Sequence, residues 1–148
     1  MTVFNFTTLV NDPLADVVSA ALGASAGAKY TEADIGKGVK LSTANNYIPL
    51  AKDNEIEGIV VSISPETVND GFSFGSVQKN RRVEAVVGVS EVGTVAVGEL
   101  LVADTPVALN TAGIIRVYPG VPTTHKWRCI AIVTGTGAAG DTILMERI

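Results

Sequence analysis

One cysteine, one histidine and one tryptophan are all that the chain's 148 residues hold of the side chains most used for redox chemistry, proton transfer and ring recognition. The lone Cys129 excludes an intrachain disulfide and a multi-cysteine zinc site. Set in the apolar run Trp127–Val133, it reads as a small buried hydrophobe. His125 has no nucleophile beside it stronger than Thr123 and Thr124, so it reads as a loop residue at the mouth of a strand. Charged residues are 18% of the chain, below the roughly 25% of an average soluble domain, and the formal net charge is −4. That balance argues against nucleic acid as a partner, because phosphate binding draws its affinity from an excess of Lys and Arg. No apolar run approaches the roughly 20 residues of a membrane span. Ala24-Ser25-Ala26 resembles a cleavage site, but Asp12 and Asp16 precede the first basic residue, Lys29, so no signal peptide is read. No internal repeat of fixed period is visible.

What is present is glycine, 15 residues of it, set among short runs of Val, Ile, Leu and Ala. The segment Val92–Asp104 is representative, with Thr94–Val97 and Leu100–Ala103 reading as two strands about a corner at Gly98-Glu99. Ile56–Ile63 and Trp127–Val133 are apolar at consecutive positions and read as central strands, covered on both faces. Asp12-Pro13 reads as a helix start, with Leu14, Val17, Val18 and Ala21 on one face and Gly23 as the stop. The expected architecture is all-β, a single β-sandwich or barrel (jelly-roll-like) over residues 29–148. An N-terminal arm with one short helix occupies residues 1–28.

Few of the remaining motifs carry chemistry. Gly135-Thr136-Gly137-Ala138-Ala139-Gly140 has the spacing of a dinucleotide fingerprint, but no helix or second parallel strand fits in the residues that follow, so a glycine-rich hairpin turn is expected. Glu55 and Glu57 share a strand face without the oxygen-rich loop of a calcium site. Gly113–Tyr118 lacks the aspartate that a dUTPase-like trimeric hydrolase needs after its isoleucines. No catalytic residue, metal or cofactor is expected. Lys79, Arg81 and Arg82 form the one cluster of positive charge, before the run Val83–Val89, and read equally as a docking surface, since Arg forks pair well with carboxylates, or as an ordinary charged hairpin tip. With Lys126, Trp127 and the apolar Phe4, Phe6 and Leu9 of the arm, they are the candidate partner-binding residues.

From about Ala33 onward, five segments give the chain a resemblance to small bacteriophage head decoration, or capsid cement, proteins. They are Gly38-Val39-Lys40-Leu41 with Ile48–Ala51, Ile56–Val61, Val83–Gly88, Val95–Asp104, and Cys129–Val133 through Gly140–Met145. The resemblance implies a non-enzymatic virion protein that binds the outer surface of the head. There it would clamp neighbouring major capsid subunits, as a dimer or trimer, with no role for membrane or nucleic acid. It also implies synthesis in the host cytoplasm. The alternative is a carbohydrate- or host-surface-binding β module of a virion, which the shortage of aromatic side chains disfavours.

Overall fold

A computed structural model describes residues 17–23, 29–64, 73–79, 81–89 and 93–148. The first five strands are β1 (Val17–Leu22), β2 (Gly38–Leu41), β3 (Tyr47–Pro49), β4 (Gly58–Ile63) and β5 (Ser73–Gln78). The other five are β6 (Arg82–Val87), β7 (Leu100–Ala103), β8 (Arg116–Pro119), β9 (Trp127–Ile132) and β10 (Thr142–Arg147). The all-β expectation holds. Of the expected single sandwich or barrel, the barrel form is what the strands take, but in two closed rings and not one, β1-β3-β2-β4-β5 and β10-β6-β8-β7-β9.

The second ring repeats the plan of the first, strand for strand. In each, the first strand runs antiparallel to the fifth and parallel to the third, and the second strand lies between the third and the fourth. The register agrees as well: Leu22 pairs with Tyr47 where Val87 pairs with Val117. Pro49 and Pro119 each end a third strand, where a missing N–H is tolerated at the margin of a sheet. No period shows in the sequence because the connections differ in length. Residues 104–115 join β7 to β8, against 42–46 between β2 and β3.

One corner recurs with its conformation. Gly36 and Gly98 precede β2 and β7 with φ of +94° and +95°, and their N–H groups donate to Val60 O and Cys129 O at 2.7 Å each. An alanine in the left-handed region costs about 1–2 kcal/mol, partly offset by the freedom that glycine gives the unfolded chain. A Cβ at position 98 meets nothing within 4 Å, whereas at 36 it comes to 2.8 Å from Ile114 Cγ2. Gly98→Ala is therefore expected to destabilise by about 1 kcal/mol, and Gly36→Ala by about 2–4 kcal/mol once crowding is added. Urea unfolding of the two variants checks this; equal losses would contradict it.

Two apolar cores result, and each barrel lends to the other's. The larger gathers Ala85, Val87, Leu101, Val117, Trp127, Cys129, Ile143 and Met145 of the second barrel with Leu50, Ile56 and Ile59 from the first half of the chain. The smaller holds Leu22, Val39, Tyr47, Val60 and Val77, with Leu109 from the 104–115 connection packed against it. Ile59 and Val60, successive residues of β4, thus enter different cores. This is why β4 is apolar on both faces, as expected of a central strand. β9 is not: Arg128 points to solvent between buried Trp127 and Cys129.

Three local expectations are corrected. Val17–Leu22 is a strand, not a helix; it pairs with β5 over six residue pairs, and β-branched Val17 and Val18 favour that state. Tertiary pairing overrides the helical spacing, so the first barrel includes Val17–Leu22 and the 28/29 boundary falls inside it. Thr94–Val97 forms no strand, since Val95 N–H is taken by Gly137 O in a loop contact. Lys79–Arg82 is no hairpin tip: it runs from the end of β5 to the start of β6 and joins the barrels. Residues 1–16, with Phe4, Phe6, Leu9 and the arm, lie outside the described residues.

Candidate functional site

The junction between the barrels holds two sets of engaged charges. On one side, a 3-10 turn at Glu32–Asp34 places Asp34 at 0% exposure, and Lys37 is 5% exposed. Lys37 Nζ donates to Asp34 Oδ1 at 2.6 Å and to the carbonyls of Ala108 and Thr111 at 2.7 Å each. All three ammonium protons are therefore used. Asp34 also accepts from Thr31 N–H at 2.8 Å and from Asn110 N–H at 2.9 Å. The longer connection of the second barrel is thus latched onto the first by an ion pair with its hydrogen bonds filled. Burial first, then the Asp34 charge, push the nearby Tyr30 phenol upward.

On the other side, an open polar cleft of about 260 Å³ is lined by Lys40, Asn54, Glu55, Glu57, Thr124 and His125. Glu55 accepts from the N–H groups of Thr123 and Thr124 at 2.7 Å and of His125 at 3.1 Å. The residues after β8 form a nest of donors around one carboxylate. Glu57 accepts from Leu41 N–H and lies 3.0 Å from His125 Nε2. Arg147 Nη2 is 3.0 Å from His125 Nδ1. Arginine only donates, so Nδ1 is the acceptor there and Nε2 carries the proton towards Glu57. A relay from β10 to the edge of β2 thus crosses the seam through one imidazole.

These groups hold backbone and each other. The Thr123 and Thr124 hydroxyls are turned to Glu55, at 3.2 Å and 3.3 Å from Oε2. Among the described residues no group of three or more His, Cys, Asp or Glu is placed to hold a metal ion. Cys129 is fully buried, and burial raises its thiol pKa, which fits a packing role. The Gly135–Gly140 segment is the β9–β10 hairpin loop, with Gly135, Gly137 and Gly140 at positive φ. Asp141 Oδ2 caps it by accepting from Thr136 and Ala138 N–H at 3.0 Å each. That carboxylate fills the inside of the turn, where a phosphate would have to sit.

The donor nest has a consequence in acid. Thr124 N–H above all, with His125 and Thr123 behind it, lowers the Glu55 carboxyl from 4.5 to about 2. A carboxylate depressed in the folded state contributes stability that is complete above its unfolded pKa. That contribution is lost as pH falls towards the folded value. Melting temperature should therefore fall from about pH 4.5 towards about pH 2, and Glu55→Gln should flatten that limb while lowering the plateau near neutrality. An unchanged acid limb in the variant would contradict the assignment.

The candidate partner-binding residues divide. Arg81, Arg82 and Lys126 are exposed, while Lys79 is half-buried with its ammonium 5.6 Å from the Tyr47 ring centroid. Trp127 must be withdrawn: it is 0% exposed and its Nε1 donates to Ile56 O at 2.9 Å. Arg128 and Glu146 went unnoticed in the sequence. The signal for Arg128 was a charge between apolar Trp127 and Cys129 on a strand, which marks the outward face, whereas Glu146, followed by Arg147, carried no such signal. Register then sets Arg82, Glu146 and Arg128 side by side across β6, β10 and β9.

Comparison with protein-family models, with curated proteins and with solved structures returns no match to this chain.

Proposed function

We propose that the chain is a structural virion protein. It binds the outer surface of a bacteriophage head and cements neighbouring major capsid subunits, acting as a dimer or trimer without a cofactor. The carrying observation is how the charges are used. The groups with chemical potential, Asp34, Lys37, Glu55, Glu57 and His125, are spent on locking two barrels together. Exposed cations are left at one rim of a net-acidic protein. A braced body with a charged docking rim suits a clamp, which must resist deformation between its contacts. Closed rings also suit dense display on a shell, because ring closure removes open strand edges that template aggregation.

The sugar-binding alternative requires exposed ring faces. Tyr30, Tyr47 and Trp127 are buried, the half-buried Tyr118 has the Lys52 ammonium 5.8 Å above its ring, and among the described residues Phe74 alone is an exposed ring, too little for a platform of several. The experiment is to mix the purified chain with heads assembled without decoration protein, sediment the shells, and melt them. Saturable co-sedimentation with a raised shell melting temperature is expected. No binding to any such head would overturn the proposal.

A further inference from the structure

The rim of the second barrel points to a more specific contact. Lys79, Arg81, Arg82, Lys126, Arg128 and Arg147 are six of the chain's 11 Lys and Arg, and strand pairing brings them to one end. Arg82 lies opposite Glu146, Glu146 opposite Arg128, and Arg147 opposite Trp127. Lys126 O accepts from Ile148 N–H at 3.0 Å, and Arg147 Nη1 donates to Lys79 O at 3.4 Å.

The outward row reads Arg, Glu, Arg on three adjacent strands, about 10 Å from first to last at normal strand spacing. It is weakly engaged within the chain: Arg128 and Glu146 are 4.0 Å apart, with side chains 47% and 32% exposed. At that distance and exposure an ion pair is close to neutral for stability, so the guanidinium forks keep most of their capacity for an outside acceptor. Two features select the kind of acceptor. Glu146 sits inside the row and Glu84 is exposed on the same strand as Arg82, so a phosphate backbone would meet carboxylates where it needs cations. A protein surface presenting acid, base, acid at strand-like spacing would satisfy all three positions.

The geometry points to Arg82–Glu146–Arg128, flanked by Arg81 and Lys126, as a docking row for an acidic protein surface with one central cation. Such a surface is the contact a major capsid subunit would offer under the function proposed above, on which this inference rests. Trp127 and Cys129 beneath the row are fully buried, so the backbone that carries the row is fixed on a packed core and only the side chains lose freedom on binding.

The test uses the full chain and the double variant Arg82→Glu/Arg128→Glu, with Lys29→Glu, exposed and outside the row, as control. Matching melting temperatures establish that all three are folded. Where the wild type binds undecorated heads, the double variant should lose about a hundredfold or more in affinity, and Lys29→Glu little. Equal binding by the double variant overturns the row and leaves the proposed function standing. Where the wild type binds no head, the proposed function fails and the row is judged with a short peptide of repeated Glu-Lys-Glu, which offers acid, base and acid in turn. Binding that weakens from about 0.05 to about 0.5 M salt, and is lost in the double variant, supports it. No binding overturns it. Preference for an oligothymidylate of about twenty nucleotides over the peptide also overturns it, in favour of a nucleic-acid surface.

Discussion

Lys37→Ala is expected to destabilise the protein by about 3–5 kcal/mol, the cost of leaving a buried charge without its partner. Three groups lose their ligand at once: the Asp34 carboxylate and the carbonyls of Ala108 and Thr111. Asp34 has 0% exposure, so water cannot replace the ammonium without opening the seam. The 104–115 connection should be released first at residues 108–111, where Lys37 and Asp34 bind its backbone to the first barrel, while Ile115 N–H keeps its bond to Gly36 O at 2.9 Å. Hydrogen exchange at Asn110, whose N–H is held by Asp34, should rise in Lys37→Ala, with smaller changes at β9 and β10. The pair Asp34→Leu/Lys37→Met should cost less than the two single replacements added together, because no uncompensated charge remains. Additive losses in urea unfolding would show that the two groups do not act as a pair.

Trp127→Ala should cost a similar amount, about 3–5 kcal/mol for an aromatic side chain removed from a closed core. Among the described residues the indole is the largest fully buried side chain, and it belongs to the cluster shared between the barrels. Its Nε1–H on Ile56 O at 2.9 Å adds a directional tie across the seam. Trp127→Phe separates the two contributions. It keeps most of the apolar volume but strands the Ile56 carbonyl, so about 1–3 kcal/mol is expected. As the chain's one tryptophan, Trp127 reports the larger core directly. Its fluorescence transition in urea should coincide with the loss of far-ultraviolet dichroism, since the barrels exchange Ile59 and Leu109 between cores and should unfold together. Separate transitions would contradict the shared-core description.

The strands were legible where a period of two or a doubly apolar run was written locally. Ile56–Ile63 announced β4, and its two-faced apolarity proved to mean two cores, not two sheets. The glycine run 135–140 was legible as a hairpin turn because Thr142–Met145, directly after it, reads as a strand and not as the helix that a dinucleotide fingerprint opens. What stayed hidden depends on distance in the chain. The repeat of the barrel is carried by register and by single residues such as Gly36 and Gly98, with unequal connections between them. The Asp34–Lys37 latch is a local pair whose meaning comes from Ala108 and Thr111, far along the sequence. The Glu57–His125–Arg147 relay draws on three separate segments. Val17–Leu22 deceived because Val-Val-Ser-Ala-Ala-Leu suits either period, and only pairing with β5 decides between them. Of the candidate site, the cations at 79–82 were visible as a run, while Arg128 and Arg147 join them only through strand pairing.

The most direct test is a three-dimensional reconstruction of undecorated bacteriophage heads saturated with this protein. The expected result is added density on the outer surface at the junctions between capsomers, with the β6–β10–β9 rim against an acidic face of the major capsid subunit. Heads that carry no added density, or carry it only on the inner surface, would contradict the cement function.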